Sequence, residues 1–134
     1  MKISELEVDQ KVVEEGTWVT NIPELEGVRL KVRGANNRGW RKLAQTLVNA
    51  VPRKKRVNGV LEPEEADRIT ATVILNAGLL DWDGIENDDG SQIPYDKKKA
   101  SQYLQGKRFR EGAAWACDQV AEGLAKEVEE IAGN

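Results

Sequence analysis

A chain of 134 residues with 40% apolar side chains and twelve glycines can build one packed core but not two well-separated ones. No apolar run approaches the roughly 20 residues of a membrane helix, and MKISELEVDQ lacks the apolar stretch of a signal peptide, so a soluble protein that stays in the cytoplasm and meets no membrane is expected. The net charge of −3 conceals an asymmetry: residues 29–56 hold ten Lys/Arg and no Asp/Glu, which gives that segment +10 and leaves −13 on the remainder.

Histidine is missing altogether, which removes Ser-His-Asp and Cys-His catalysis and the usual zinc ligand sets. Cys117 is the single cysteine, so there is no internal disulfide, as expected of a reducing compartment. Ser4, Ser91 and Ser101 have no base to activate them. GANNRG lacks the Gly-Lys-Ser/Thr continuation of a phosphate loop. The expectation is a protein that is not an enzyme and needs no cofactor.

Residues 1–15 are polar and read as a flexible N-terminal segment, in which Ile3, Leu6 and Val8 suit a short edge strand. A single globular domain is expected over 16–134. GTWVTNI and GVRLKVRG alternate with period two, Val28, Leu30 and Val32 against Arg29, Lys31 and Arg33, and Pro23 and Gly27 bracket their connection. This predicts a half-buried β-hairpin with a basic outer face.

Asn36 or Asn37 can cap a helix whose apolar positions Trp40, Leu43, Ala44, Leu47 and Val51 recur at steps of three and four. Arg38, Arg41, Lys42 and Gln45 line its outside, and Pro52 stops it. RKKRVNG, carrying Arg53, Lys54, Lys55 and Arg56, reads as a basic loop ending in an Asn-Gly turn. Pro63 opens a second helix, with Glu64, Glu65 and Asp67 at its positive end. Its stripe of Ala66, Ile69, Val73, Ala77 and Leu80, widened by Ile74, Leu75 and Leu79, makes it the central helix.

LLDWDGIENDDGSQIPY follows, with five carboxylates between Asp81 and Asp89. A calcium-binding EF-hand loop needs oxygen ligands at positions 1, 3 and 5, Gly at 6 and Glu at 12; starting at Asp81 puts Ile85 at 5, and placing Gly90 at 6 puts Ile85 at 1. Neither register works, so no metal is expected. A structural loop is the better reading. Asp88-Asp89-Gly90 makes the turn, Asp83 and Gly84 lead into it, and Trp82 and Tyr95, after Pro94, latch it to the helices. Asp96 then caps a short helix, closed by Gly106. A long last helix is predicted from about Arg108 to Ile131, through Phe109, Ala113, Ala116 or Cys117, Val120, Leu124 and Val128.

WDGIENDDGSQIPYDKKKASQYL, preceded by VRLKVRGANNRGWRKL, resembles a pattern in the tail assembly chaperones encoded in tailed-phage tail gene clusters. The resemblance covers about residues 28–125. It implies a mainly helical protein in the cytoplasm of a bacterial host. Such a protein binds the long tape-measure protein, keeps it soluble, and leaves as the tail tube polymerises.

The fold class expected is therefore α+β and mostly helical: an N-terminal β-hairpin, three main helices, one short helix and an acidic hairpin-like loop. The expected partner-binding residues are Arg29, Lys31, Arg33, Arg38, Arg41, Lys42, Arg53, Lys54, Lys55 and Arg56, facing the tape measure, other tail proteins or another copy of the chain. A virion structural protein, such as a head–tail connector or tail accessory component, remains open. So does a nucleic-acid-binding accessory role for residues 29–56, although no helix-turn-helix, RNA-recognition or zinc-finger signature accompanies the charge.

Overall fold

The computed structural model describes residues 1–125. Five α-helices and two small antiparallel sheets are built from them, a mixed α+β fold with the N-terminal hairpin in place. In chain order the helices are α1 (Gln10–Glu15), α2 (Arg38–Asn49), α3 (Pro63–Ala77), α4 (Lys97–Tyr103) and α5 (Lys107–Ala121). The strands are β1 (Thr17–Val19), β2 (Arg29–Val32), β3 (Arg56–Val57), β4 (Val60–Leu61) and β5 (Leu79–Asp83). None of these helices is long and apolar enough to cross a membrane.

The hairpin is two-thirds of a sheet. β5 joins the free edge of β2, giving the order β1-β2-β5. Residues 79 and 80 were expected to prolong the central helix, but α3 stops at Ala77 and Gly78 turns the chain into β5. Backbone groups along the outer edge of β2 need partners, and β5 supplies them from Asp83 opposite Arg29 to Leu79 opposite Val32. A register shift between Lys31 and Val32 lets Leu79 and Trp82, three residues apart, both turn inward. In β1 it is Val19 that is buried, while Trp18 stays half-buried on the outer face.

Val19, Leu30, Val32, Leu79 and Trp82 form the inner face of the sheet and meet Ala113, Ala116, Cys117 and Val120 of α5. Small residues on α5 permit that approach. A Cβ on Gly112 would stand 2.5 Å from the Leu25 side chain in the β1–β2 connection. Ala71 and Ile74 of α3, with Ala100 of α4 and Leu104 just after it, close the cluster. A second cluster lies between α2 and α3, where Val51, Ile69, Val73 and Ala77 meet Leu43, Ala44, Leu47 and Val48. Trp40 touches both clusters.

Three further expectations are corrected. Residues 10–15, expected within a flexible segment, form a helix capped by Asp9, with Val13 wholly buried and its carbonyl accepting from the Gly34 N–H at 2.9 Å. The RKKRVNG loop is a 3-10 turn at Arg53–Lys55 followed by a β3–β4 hairpin, whose Asn58 and Gly59 both have positive φ as a tight hairpin turn requires. The last helix ends at Ala121, where Glu122 and Gly123 turn the chain, and Leu124 is exposed rather than in the core. Its expected continuation through Val128 and Ile131 lies outside the described residues.

Candidate functional site

The ten cations of residues 29–56 are spread over several elements, with different surroundings. On the outer face of the sheet, Arg29 pairs with Asp83, its Nε donating to the carboxylate at 3.0 Å, and its guanidinium lies 5.5 Å from the centre of the Trp18 ring. Lys31 sits in register between Trp18 and Asp81. Arg33 has a buried Nε with no hydrogen-bond partner among the described residues. This face is therefore amphoteric, basic on β2 and acidic on β5.

Arg56 and Lys55 have structural tasks. The Arg56 guanidinium donates to the Val48 carbonyl, and its Nε to that of Val51 at 3.5 Å, serving orphan carbonyls where α2 ends. Lys55 Nζ is 3.2 Å from Glu65, which also takes Arg68 at 2.9 Å. Hydrogen bonds from Arg68 and then Lys55 hold the Glu65 carboxyl below its ordinary range. By contrast Arg38, Arg41 and Lys42 on the solvent side of α2, with Arg53 and Lys54 after it, are exposed and have no ion pair within 4.0 Å among the described residues. The backbone N–H of Arg38 donates to the Glu14 carboxylate at 3.1 Å, an acid placed at the positive end of α2.

The sequence left Asn36 and Asn37 equal as caps, and the structure selects Asn37. It is 1% exposed; its Oδ1 accepts from the Trp40 N–H at 2.8 Å, and its Nδ2 donates to the carbonyls of Gly34 and Ala77 at 2.8 and 2.7 Å. One side chain thus starts α2 and ties it to the ends of β2 and α3.

The acidic loop satisfies itself. Ile93 N–H donates to the Ile85 carbonyl at 2.8 Å, Glu86 bridges Gln92, and Asn87 and Ser91 close the tip around Gly90. Ser91 donates to Asp89 from both its backbone N–H at 2.9 Å and its hydroxyl at 2.6 Å; the hydroxyl bond, above all, holds the Asp89 carboxyl below its ordinary range. Trp82 Nε1 donates to the Ile93 carbonyl at 2.7 Å. Its ring meets Tyr95 edge-on at 4.9 Å, stacks near Tyr103 at 5.5 Å and meets Phe109 at 6.2 Å. Gly84 is the exit from the sheet: its φ is 87°, and a Cβ there would stand 2.1 Å from the Gly27 carbonyl oxygen. Asp88 is exposed at the tip and Pro94 leads into Tyr95. Among the described residues no group of three or more Asp, Glu, Cys or His could hold a metal ion.

Two features had no signature in the sequence. Arg110 donates to the carbonyls of Leu104 and Gln105 at 3.1 and 3.0 Å and pairs with Asp67 at 3.4 Å, joining α3, α4 and α5. An open apolar groove of about 580 Å³ is lined by Leu25, Val28, Ile85, Ile93, Tyr103 and Phe109, with Arg108 on its rim. Its walls come from three separated segments, so no local pattern announces it.

A family model described as YdaY prophage protein matches residues 35–134. The chain belongs to that family. It is accordingly a protein of phage origin. The YdaY prophage match takes in α2 to α5, β5 and the acidic loop, and seven of the ten cations, from Arg38 to Arg56; Arg29, Lys31 and Arg33 precede it. No curated protein and no solved structure matches the chain.

Proposed function

We propose that this prophage protein is a tail assembly chaperone, which binds the tape-measure protein or another tail protein in the cytoplasm of the bacterial host and leaves as the tail tube forms. It acts by binding rather than by catalysis and uses no cofactor. The observation that carries the reading is the solvent side of α2 with the turn after it, where Arg38, Arg41, Lys42, Arg53 and Lys54 are exposed and without counterions among the described residues. An acidic helix on a partner would supply those counterions. The prophage family and the likeness of residues 82–104, with 28–43 before them, to a pattern in tail assembly chaperones support the same reading. The burial that pushes the Cys117 thiol far above its ordinary range, and the engagement of Asp89 by Ser91, fit a protein whose reactive groups serve its fold.

Co-expression with the tape-measure protein of the same prophage, followed by affinity capture, tests this. The double variant Arg41→Glu/Lys42→Glu is expected to fold normally and to lose about tenfold or more in capture at low salt. Mass spectrometry of purified particles separates the two phage roles, since a chaperone is absent from virions and a structural component is present in stoichiometric copies. The same cations favour a second reading, nucleic-acid binding. It requires affinity for duplex DNA that falls steeply and linearly in log salt and is lost in the same variant.

A further inference from the structure

The β3–β4 hairpin ends in two apolar side chains that the core does not use. Val57 and Val60 are partners across the turn, at 61% and 67% exposure, on a tip that Asn58 and Gly59 fix with their positive φ. Strand alternation turns them outward. Arg56 and Leu61, the next pair along, form the other face: the Arg56 guanidinium reaches the Val48 carbonyl, and Leu61 packs on the α2–α3 cluster. Elsewhere among the described residues, large apolar side chains are exposed only at Met1, Ile3, Leu6 and Leu124, in the terminal segments.

The charge around this tip is mixed but mostly positive. Residues 38–65 hold seven Lys/Arg against three Asp/Glu. Glu62 and Glu64 lie at the positive end of α3, whose dipole they complement, and Glu65 is taken by Lys55 and Arg68. Arg53 and Lys54, just before β3, are exposed without an ion pair among the described residues, as are Arg38, Arg41 and Lys42. The solvent side of α2 runs from Arg38 to Asn49, about 16 Å of helix. The hairpin stands at its far end, where Arg56 meets the last carbonyls.

Exposed cations steer a partner and are screened by salt, whereas affinity comes mainly from buried apolar contact. Duplex phosphates give two valines nothing to bury against, and residues 53–61 carry no aromatic on which a base could stack. An acidic protein helix with an apolar end answers both the charge and the valines. We propose that Val57 and Val60 are the apolar anchor of the partner surface. The segment taken is then an amphipathic helix laid along α2, its acids toward Arg38, Arg41 and Lys42 and its apolar end over the hairpin. This inference rests on the chaperone reading and names the chemistry of the partner's segment.

Capture of the co-expressed tape-measure protein by the full chain, washed at about 0.1 and 0.5 M salt, is the test. Val57→Thr/Val60→Thr keeps the β-branched shape that suits a strand and replaces one methyl group on each side chain with a hydroxyl. It is expected to lower capture at least about fivefold at both salt concentrations, with an unchanged melting temperature. The loss caused by Arg41→Glu/Lys42→Glu should instead shrink as salt rises. If the double valine variant melts lower, Val60→Thr alone, at the more exposed position, takes its place. A photo-crosslinking side chain in place of Val60 is expected to mark a tape-measure segment with acids and apolar residues at helical spacing. Full capture by the valine variant, with capture lost in the charge variant, overturns this inference and leaves the chaperone reading standing. A wild-type chain that captures no tape-measure protein fails that reading and this inference with it. Duplex-DNA binding or self-association that the valine substitutions abolish assigns the hairpin to a different occupant and also overturns the proposal.

Discussion

Asn37 does more for the fold than its size suggests. Removing its side chain deletes a helix cap and withdraws donors from the Gly34 and Ala77 carbonyls in a dry site. Asn37→Ala is therefore expected to cost about 2–4 kcal/mol in urea unfolding, and Asn37→Ser, which keeps only the cap, about half of that. Gly84 is as constrained, by sterics instead of hydrogen bonds. Gly84→Ala puts a methyl group into the Gly27 carbonyl at a positive φ, and a loss of about 2–4 kcal/mol is expected in the same assay.

Two carboxylates set opposite pH dependences. Partial burial, with the charge of Glu122 second, raises the Asp118 pKa above its ordinary value. A group whose folded pKa is raised favours the fold while protonated. Its contribution is complete below the unfolded pKa and is lost as pH rises through the folded one. Asp118→Asn should then raise the melting temperature at about pH 7 and change nothing near pH 3. Asp89 runs the other way. Its pKa is lowered by Ser91, so its contribution is present above the ordinary carboxylate range and lost as pH falls through the folded value. Ser91→Ala, which deletes the hydroxyl bond and keeps the backbone one, should weaken that part of the acid dependence.

At the scale of elements, α2 and α5 have the same kind of amphipathic sequence but different attachments. α5 buries Gly112, Ala113, Ala116, Cys117 and Val120, whereas α2 has no fully buried residue and is held by half-buried side chains against α3. Hydrogen exchange under mild denaturant is expected to show α2 amides opening with a free energy below that of global unfolding, and central α5 amides exchanging only with it. A low opening energy in α2 would also suit an element that adapts to a partner. Helices α2 to α5 were legible, with Pro63 and Asp96 starting elements where the pattern placed them; α1 was not, and Gly106, read as the stop of α4, is the N-cap of α5. β5 was not legible, because Leu79 and Leu80 continue the three-to-four stripe of α3 past Gly78, the one local sign that the helix stops there. The reason they are extended lies far back in the chain, in the edge of β2 where Val32 pairs with Leu79.

At the scale of the molecule, Trp40 is the one half-buried side chain among the described residues packed against both clusters, with Gly78 leaving room for its ring beside Cys117. Trp40→Ala should cost about 3–5 kcal/mol. It should also uncouple the clusters, so that urea unfolding followed by far-ultraviolet circular dichroism loses its single cooperative transition. Coincident, steep transitions in that variant would show that the rest of the α2–α3 contact suffices to join them.

The linear sequence by itself determined helices α2 to α5, the β1–β2 hairpin, the acidic turn with its Trp82–Tyr95 latch, and the concentration of positive charge in residues 29–56. Each of these depends on spacing over a few residues: period two, period three to four, a cap, a breaker, or a Gly-containing turn. Tertiary structure alone decided the rest. It recruited β5 to the sheet, chose Asn37 over Asn36, and bound Arg29, Lys55 and Arg56 to internal partners while leaving Arg41, Lys42, Arg53 and Lys54 exposed. It also assembled the groove from three distant segments. Those outcomes turn on which backbone groups and charges meet across the core, and a local pattern carries no information about its distant neighbours.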